Sequence, residues 1–246
     1  MTVMSSQHVD QSLPTEDRLA RPHGPRPPRL VVFDVNETLS DMSSMATRFG
    51  DVGAPAHLAA TWFAGLLRDG FALTAVGSSD SFARIAAESL TVGFHGVPLN
   101  REAADAVSYV MHGFAELPVH ADVPAGVEQL GRLGARLVTL SNGSASVAEA
   151  LLDRAGIRQH FERLLTVEDA GRWKPAPEAY AYALQQCGVE PEDAMLVAVH
   201  PWDIDGAARA GLATAWLNRA GGPYPAYFRA PDLSAASLRE LADQLG

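Results

Sequence analysis

Four short segments of this chain carry side chains able to do chemistry, and each follows or adjoins an apolar run. The first is Phe33-Asp34-Val35-Asn36-Glu37-Thr38-Leu39, directly after the apolar residues 29–33. An acid immediately past a buried strand supplies a nucleophile or a base. A turn or helix-cap role for Asp34 fits the same placement equally well. The second is Leu140-Ser141-Asn142-Gly143-Ser144, where the Ser141 hydroxyl and the free N–H groups of a following helix would form an anion site. An ordinary loop is the competing reading. The third is Trp173-Lys174-Pro175-Ala176-Pro177. Its prolines hold Lys174 on a stiff, extended stretch that would aim the ammonium reproducibly, unless the lysine is simply solvated. The fourth is Val199-His200-Pro201-Trp202-Asp203-Ile204-Asp205-Gly206.

The elements that must position these groups alternate strand and helix. Strands are expected over 29–33, 136–140, 164–167, 194–199 and 213–217, and helices over 124–133, 144–155, 177–186 and 204–210. Such alternation implies a Rossmann-like, doubly wound parallel sheet covered on both faces, with its site at the carboxyl ends of the strands. Residues 42–117 lack β-branched runs and read as a helical insertion, with helices over 59–67, 81–90 and 101–114. Residues 1–28 read as a disordered, proline-rich tail. The expected division is therefore a tail, a core over 29–41 and 118–246, and an inserted helical domain over 42–117.

Composition narrows the function. With 47% apolar and 20% charged residues the chain is globular rather than disordered. A formal net charge of −10, with no basic stripe, argues against a nucleic-acid-binding surface. Cys187 is the single cysteine, so it forms no internal disulfide and reads as buried and structural. No apolar run is long enough to span a membrane, and the N-terminal residues lack a secretory layout, so the cytoplasm is the expected compartment. His8, His57, His95, His112, His120 and His160 show no metal-ligand spacing.

In order and spacing the four segments resemble the signature motifs of the haloacid dehalogenase superfamily, over roughly residues 29–220. The resemblance implies that Asp34 is a nucleophile forming a covalent ester, with Thr38 and Ser141 as the hydroxyls, Lys174 as the lysine and Asp203 as the fourth-motif acid. The insertion falls where this superfamily places a cap that closes over the site and excludes water.

Two positions argue against the phosphatases of the superfamily. Their general acid stands two residues after the nucleophile, where this chain has Asn36, and an acid that binds Mg²⁺ falls at Val199. A halide leaving group needs neither. The type II 2-haloacid dehalogenase branch is the better resemblance, with further matches at Tyr180, Trp202-Asp203 and Trp216-Leu217-Asn218-Arg219. It implies hydrolysis of small (S)-2-haloacids to 2-hydroxy acids without metal or cofactor, and it is in keeping with a homodimer. Ser141, Lys174 and the amides after Asn142 would bind the substrate carboxylate. Asn142 would face the halide, Trp202 would wall the apolar side, Tyr180 would line the substrate site, and Asp203 would orient Lys174 and help activate water. Departures are equally specific. Asn36 replaces an aromatic residue, Glu37 a glycine, and Ala198 and His200 small polar residues, while Phe63 stands where the branch carries a halide-binding arginine. Arg48 and Arg68 are the candidates to replace that cation. His200 reads either as a water-activating base or as a packing residue. Hydrolysis of another small ester or phosphate, and a binding protein with weak catalysis, are the rival functions.

Overall fold

A computed structural model describes residues 28–246, so all but the last residue of the expected tail lies outside the described residues. The first strand, β1 (Leu30–Phe33), leads into the insertion: α1 (Met45–Asp51), α2 (Leu58–Ala75), α3 (Phe82–Gly93) and α4 (Ala103–Ala115). The chain then runs through α5 (Val123–Arg132), β2 (Arg136–Ser141), α6 (Ala145–Arg154), β3 (Phe161–Thr166) and the single turn α7 (Val167–Ala170). It continues with α8 (Pro177–Cys187), β4 (Ala194–Ala198), α9 (Pro201–Arg209), β5 (Ala213–Leu217), β6 (Leu233–Ala235) and α10 (Leu238–Leu245).

The six strands pair in parallel in the order β3-β2-β1-β4-β5-β6. This α/β architecture is the one expected from the alternation. All four residues of β1 are buried, as a central strand covered on both faces requires. Leu30 and Val32 pack into one apolar cluster with the insertion, α8 and α9. Val31 and Phe33 point the other way, into a cluster with α5, α6 and α10. Because β2 and β4 flank β1 and continue to opposite sides, the strand order reverses there. The crevice of an open α/β sheet forms at that reversal.

Local chemistry sets several helix starts. Ser81 and Ser144 accept hydrogen bonds from the backbone N–H groups of Arg84 and Val147, capping α3 and α6. Pro177 and Pro201 open α8 and α9, using the first helical position, where no N–H is required. Pro201 therefore starts α9 three residues earlier than the expected residue 204. Similarly, β3 begins at Phe161 rather than 164, and Val167 belongs to α7. The elements α1, β6 and α10 were not anticipated. A readable signal existed for α10: Ser237 accepts from the Glu240 N–H while the Glu240 carboxylate accepts from the Ala236 N–H, a capping arrangement spelled Ser-x-x-Glu.

The insertion has an aromatic interior built from Phe49, Trp62, Phe63, Phe82, Phe94 and Phe114. Trp173 of the core joins it, stacking on Phe82 at 5.8 Å, while its indole N–H donates to the Asp80 carbonyl. A Cβ at Gly70 on α2 would collide with the Trp173 ring. Gly70→Ala is expected to cost about 1–3 kcal/mol by overpacking, seen as a melting temperature several degrees lower. An unchanged melting temperature would show that the α2–Trp173 contact is slack.

Candidate active site

The carboxyl ends of β1 and β4 deliver the central groups. Asp34 follows Phe33, and its backbone N–H donates to the Val197 carbonyl at 3.1 Å, which extends the β1–β4 ladder by one bond. Thr38 is held four residues on: its hydroxyl accepts from the Val199 N–H at 3.1 Å and donates to Asp34 Oδ2 at 2.7 Å. One side chain thus pins the loop after β1 to the end of β4.

Asp34 is buried, and each carboxylate oxygen meets a cation or hydroxyl. Lys174 Nζ lies 2.9 Å from Oδ1, and His200 Nδ1 lies 3.0 Å from Oδ2 beside Thr38. Burial by itself would raise the Asp34 pKa, but the Lys174 charge and the hydrogen bonds from His200 and Thr38 outweigh it. The carboxyl is held well below its ordinary value of 3.8. Asp34 is therefore an anion throughout the neutral range.

Lys174 has no solvent exposure and bridges two acids, donating to Asp34 and, at 2.7 Å, to Asp203 Oδ2. Burial would lower its pKa, yet the two carboxylates raise it above the usual lysine value. The Asp203 carboxyl is displaced upward, chiefly by burial, with the Lys174 charge opposing. The other Asp203 oxygen accepts from the Tyr180 hydroxyl at 2.6 Å. Tyr180 itself is fully buried, so it supports Asp203 from behind rather than facing a cavity.

His200 is the N-cap residue of α9, and its ring stacks on Trp202 with centroids 4.9 Å apart. Its second nitrogen, Nε2, lies 2.8 Å from Glu37 Oε2. Burial opposes the charged ring, but hydrogen bonds to Asp34 and Glu37 push the pKa up to about 9. In the sequence Glu37 stands out only as a departure from a family glycine, and nothing there places it beside His200. The two residues are 163 apart in sequence, and no local pattern signals the pairing. Glu37 adopts φ 60, the one left-handed non-glycine residue among those described, at a cost of about 1–2 kcal/mol.

The remaining candidates fall around this centre. Ser141 closes β2, and its Oγ accepts from the Gly143 N–H at 2.9 Å. Asn142 is locked to the Lys174 backbone, its Oδ1 accepting from the Lys174 N–H at 3.0 Å. Asn36 is buried, and its Nδ2 lies beside Gly143, 3.7 Å from where a Cβ would stand. Trp202 also meets Phe71 of α2 at 4.9 Å, which joins the insertion to the site. Phe63 is buried in the aromatic interior and borders a cavity of about 670 Å³ between insertion and core. Glu37, Met42, Met45, Val199, Trp216 and Arg219 line the same cavity. Neither candidate arginine reaches Asp34. Arg48 lies over the Tyr109 ring at 4.7 Å and pairs with Glu116, while Arg68 is exposed and pairs with Asp69.

The donor set does not suit a hard divalent cation. Val199 offers only its backbone, with N–H bound to Thr38 and C=O accepting from the Trp216 indole. Lys174 and His200 already occupy both oxygens of Asp34 with positive charge. Among the described residues no group of three or more His, Cys, Asp or Glu is arranged to hold a metal.

A parallel α/β core with a helical insertion after β1 thus holds an ionised aspartate, paired to a buried lysine, at the end of its first strand. The haloacid dehalogenase-like hydrolase family model matches residues 28–211, and the chain belongs to that family. An (S)-2-haloacid dehalogenase from Pseudomonas sp. (strain YL) is 27% identical over 215 residues, covering 87% of this chain and 92% of the relative. (S)-2-haloacid dehalogenase 4A from Burkholderia cepacia is 30% identical over 205 residues, covering 82% and 88%. A solved L-2-haloacid dehalogenase superposes with a TM-score of 0.82 at 27% identity, covering 88% of this chain and 98% of that one.

The His200 shift has a definite sign in stability. A pKa raised from 6.5 to about 9 on folding contributes stability that is full below 6.5 and lost as pH rises toward 9. Denaturant unfolding of wild type and His200→Asn between pH 6 and 10 should show wild type losing stability against the variant across that window. Parallel curves would show that the ring is not charged in the folded protein.

Proposed function

We propose that this chain is a metal-independent hydrolase of small (S)-2-haloacids, with Asp34 as nucleophile. One observation carries the reading. A buried aspartate is kept ionised by Lys174 and His200, while Asn36 offers no acidic proton and Val199 no carboxylate. That arrangement lacks the acid that the superfamily's phosphatases carry two residues after the nucleophile, and the ligand needed for a phosphoryl-bound cation. It suits a leaving group that departs as a weak base. The relatives named for 2-haloacid dehalogenation support the same reading.

In the first step an Asp34 oxygen attacks C2 of the substrate, the carbon–halogen bond breaks, and halide leaves with the bonding electrons. Attack from the far side inverts C2. Water then adds to the Asp34 carbonyl carbon and the C2-bearing oxygen departs as the hydroxyl of the 2-hydroxy acid, regenerating the Asp34 carboxylate. Ser141, Lys174 and the amides following Asn142 would hold the substrate carboxylate at the start of α6. Asn142 and the apolar surfaces of Phe63 and Trp202 would surround the halogen. Thr38 fixes the Asp34 carboxylate, and Asp203, backed by Tyr180, aims Lys174. We assign residues 42–117 as the cap over this site, supported by the Trp173 and Phe71–Trp202 contacts that tie it to the core. A cytoplasmic homodimer completes the proposal, on the family resemblance and the single buried cysteine.

Halide release from 2-chloropropionate and chloroacetate in the presence of EDTA tests the reading. Wild type should release halide with EDTA present, and Asp34→Ala should be slower by at least about a thousandfold. Absence of halide from wild type, or release that depends on added Mg²⁺, would contradict it.

A further inference from the structure

We propose that His200, held by Glu37, is the base that activates the water hydrolysing the Asp34 ester, and that ester formation itself switches it on. The inference rests on the dehalogenase reading above and assigns its second step. Of the groups bound to the Asp34 carboxylate, Lys174 is committed to two acids, and the Thr38 hydroxyl already donates to Asp34 and accepts from Val199. Asp203 is fully buried, with one oxygen on Lys174 and the other on Tyr180. Lys174 is held protonated by its two carboxylates, so His200 is the partner of Asp34 whose nitrogen becomes a free acceptor on losing a proton. That nitrogen, Nδ1, is the one facing Asp34 at 3.0 Å.

The charges around the ring make its state depend on the nucleophile. Asp34 and Glu37 face it directly, Lys174 lies 5.9 Å from the Trp202 ring on which it stacks, and His120 binds the Glu37 carbonyl. With Asp34 ionised, the ring is held as a cation between two carboxylates, in line with its raised pKa. Alkylation of Asp34 removes one of those negative charges. The Nδ1 proton then loses its partner and leaves to solvent, beside a Glu37 side chain that is 42% exposed and borders the cavity. The neutral ring keeps its Nε2 proton on Glu37 and turns an Nδ1 lone pair toward the ester. Water gives one proton to Nδ1 as its oxygen bonds to the Asp34 carbonyl carbon. Collapse of the adduct returns that proton to the departing alkoxide. The new Asp34 carboxyl proton then passes to Nδ1, restoring the ion pair. One halide and one proton leave per turnover. Glu37 acts as a positioning residue, and its left-handed backbone is the conformation that a glycine would occupy without strain.

The test is rapid mixing with excess (S)-2-chloropropionate, following halide release and the intact protein mass. His200→Asn, checked by circular dichroism and melting temperature, should release about one halide per protein in a burst. It should then turn over about 10²–10⁴-fold more slowly than wild type, with a mass adduct mapping to Asp34. In Glu37→Gln, loss of the carboxylate weakens the imidazolium, so the rising limb of ester hydrolysis with pH should move to lower pH. Wild-type turnover by His200→Asn overturns the proposal, as does loss of the first halide together with turnover in a folded variant, or an unmoved limb in Glu37→Gln. If wild type shows neither halide nor adduct, the functional reading itself fails, and the dyad with it.

Discussion

The ion pair between Asp34 and Lys174 is the interaction on which the rest of the site depends. Neither group has appreciable solvent contact, and an unpaired buried charge would be displaced into its neutral form or out to water. Pairing alone leaves further lone pairs and protons to satisfy. Thr38, His200 and Asp203 meet that need, and Tyr180 does so for Asp203 in turn. Thr38 comes from the loop after β1, Tyr180 from α8, His200 and Asp203 from α9, and Lys174 from the segment after α7, so the network forms only when these elements and β4 are all in place. The buried Asp34 charge and the tertiary fold thereby depend on the same set of contacts.

That dependence explains why the insertion is anchored where it is. Lys174 directly follows Trp173, whose ring is buried among the aromatics of the insertion and whose backbone N–H donates to Thr74 of α2. Movement of α2 relative to the sheet would be felt at the residue preceding the lysine. Phe71 makes the second tie, through Trp202, to the ring that carries His200. Both cations facing Asp34 are thus one contact away from the helices of the insertion.

Much of the fold was readable because its signals are local. Strand β1 is a short apolar run ended by an acid, and β2 and β5 are short apolar runs that meet Ser141-Asn142 and Asn218. Helices α8 and α9 open on prolines, and the apolar spacing that marks α9 in the sequence begins only at Ile204, three residues after its true start at Pro201. Strand β6 is only three residues, Leu233–Ala235, too short to show periodicity. The site was less readable. Asp34 and Lys174 stand 140 residues apart, and only family resemblance joined them. Glu37 drew notice as an odd substitution, but its left-handed backbone and its reach to His200 are properties of the folded chain. Arg48 looked like a stand-in for the missing cation until its partners, Tyr109 and Glu116, turned out to lie within the insertion. Phe63 thus borders the cavity with neither Arg48 nor Arg68 beside Asp34, and the positive charge facing Asp34 comes from Lys174 and His200.

The central claim is that Asp34 attacks carbon, and oxygen isotope tracing in a single turnover tests it most directly. Protein in excess over (S)-2-chloropropionate would be allowed to react once in water enriched in oxygen-18. The hydroxyl of the resulting hydroxy acid should then carry ordinary oxygen taken from Asp34, with the heavy isotope found in the Asp34 carboxylate by peptide mass. Heavy oxygen in the product hydroxyl after one turnover would mean that water attacks C2 directly, and would contradict the account.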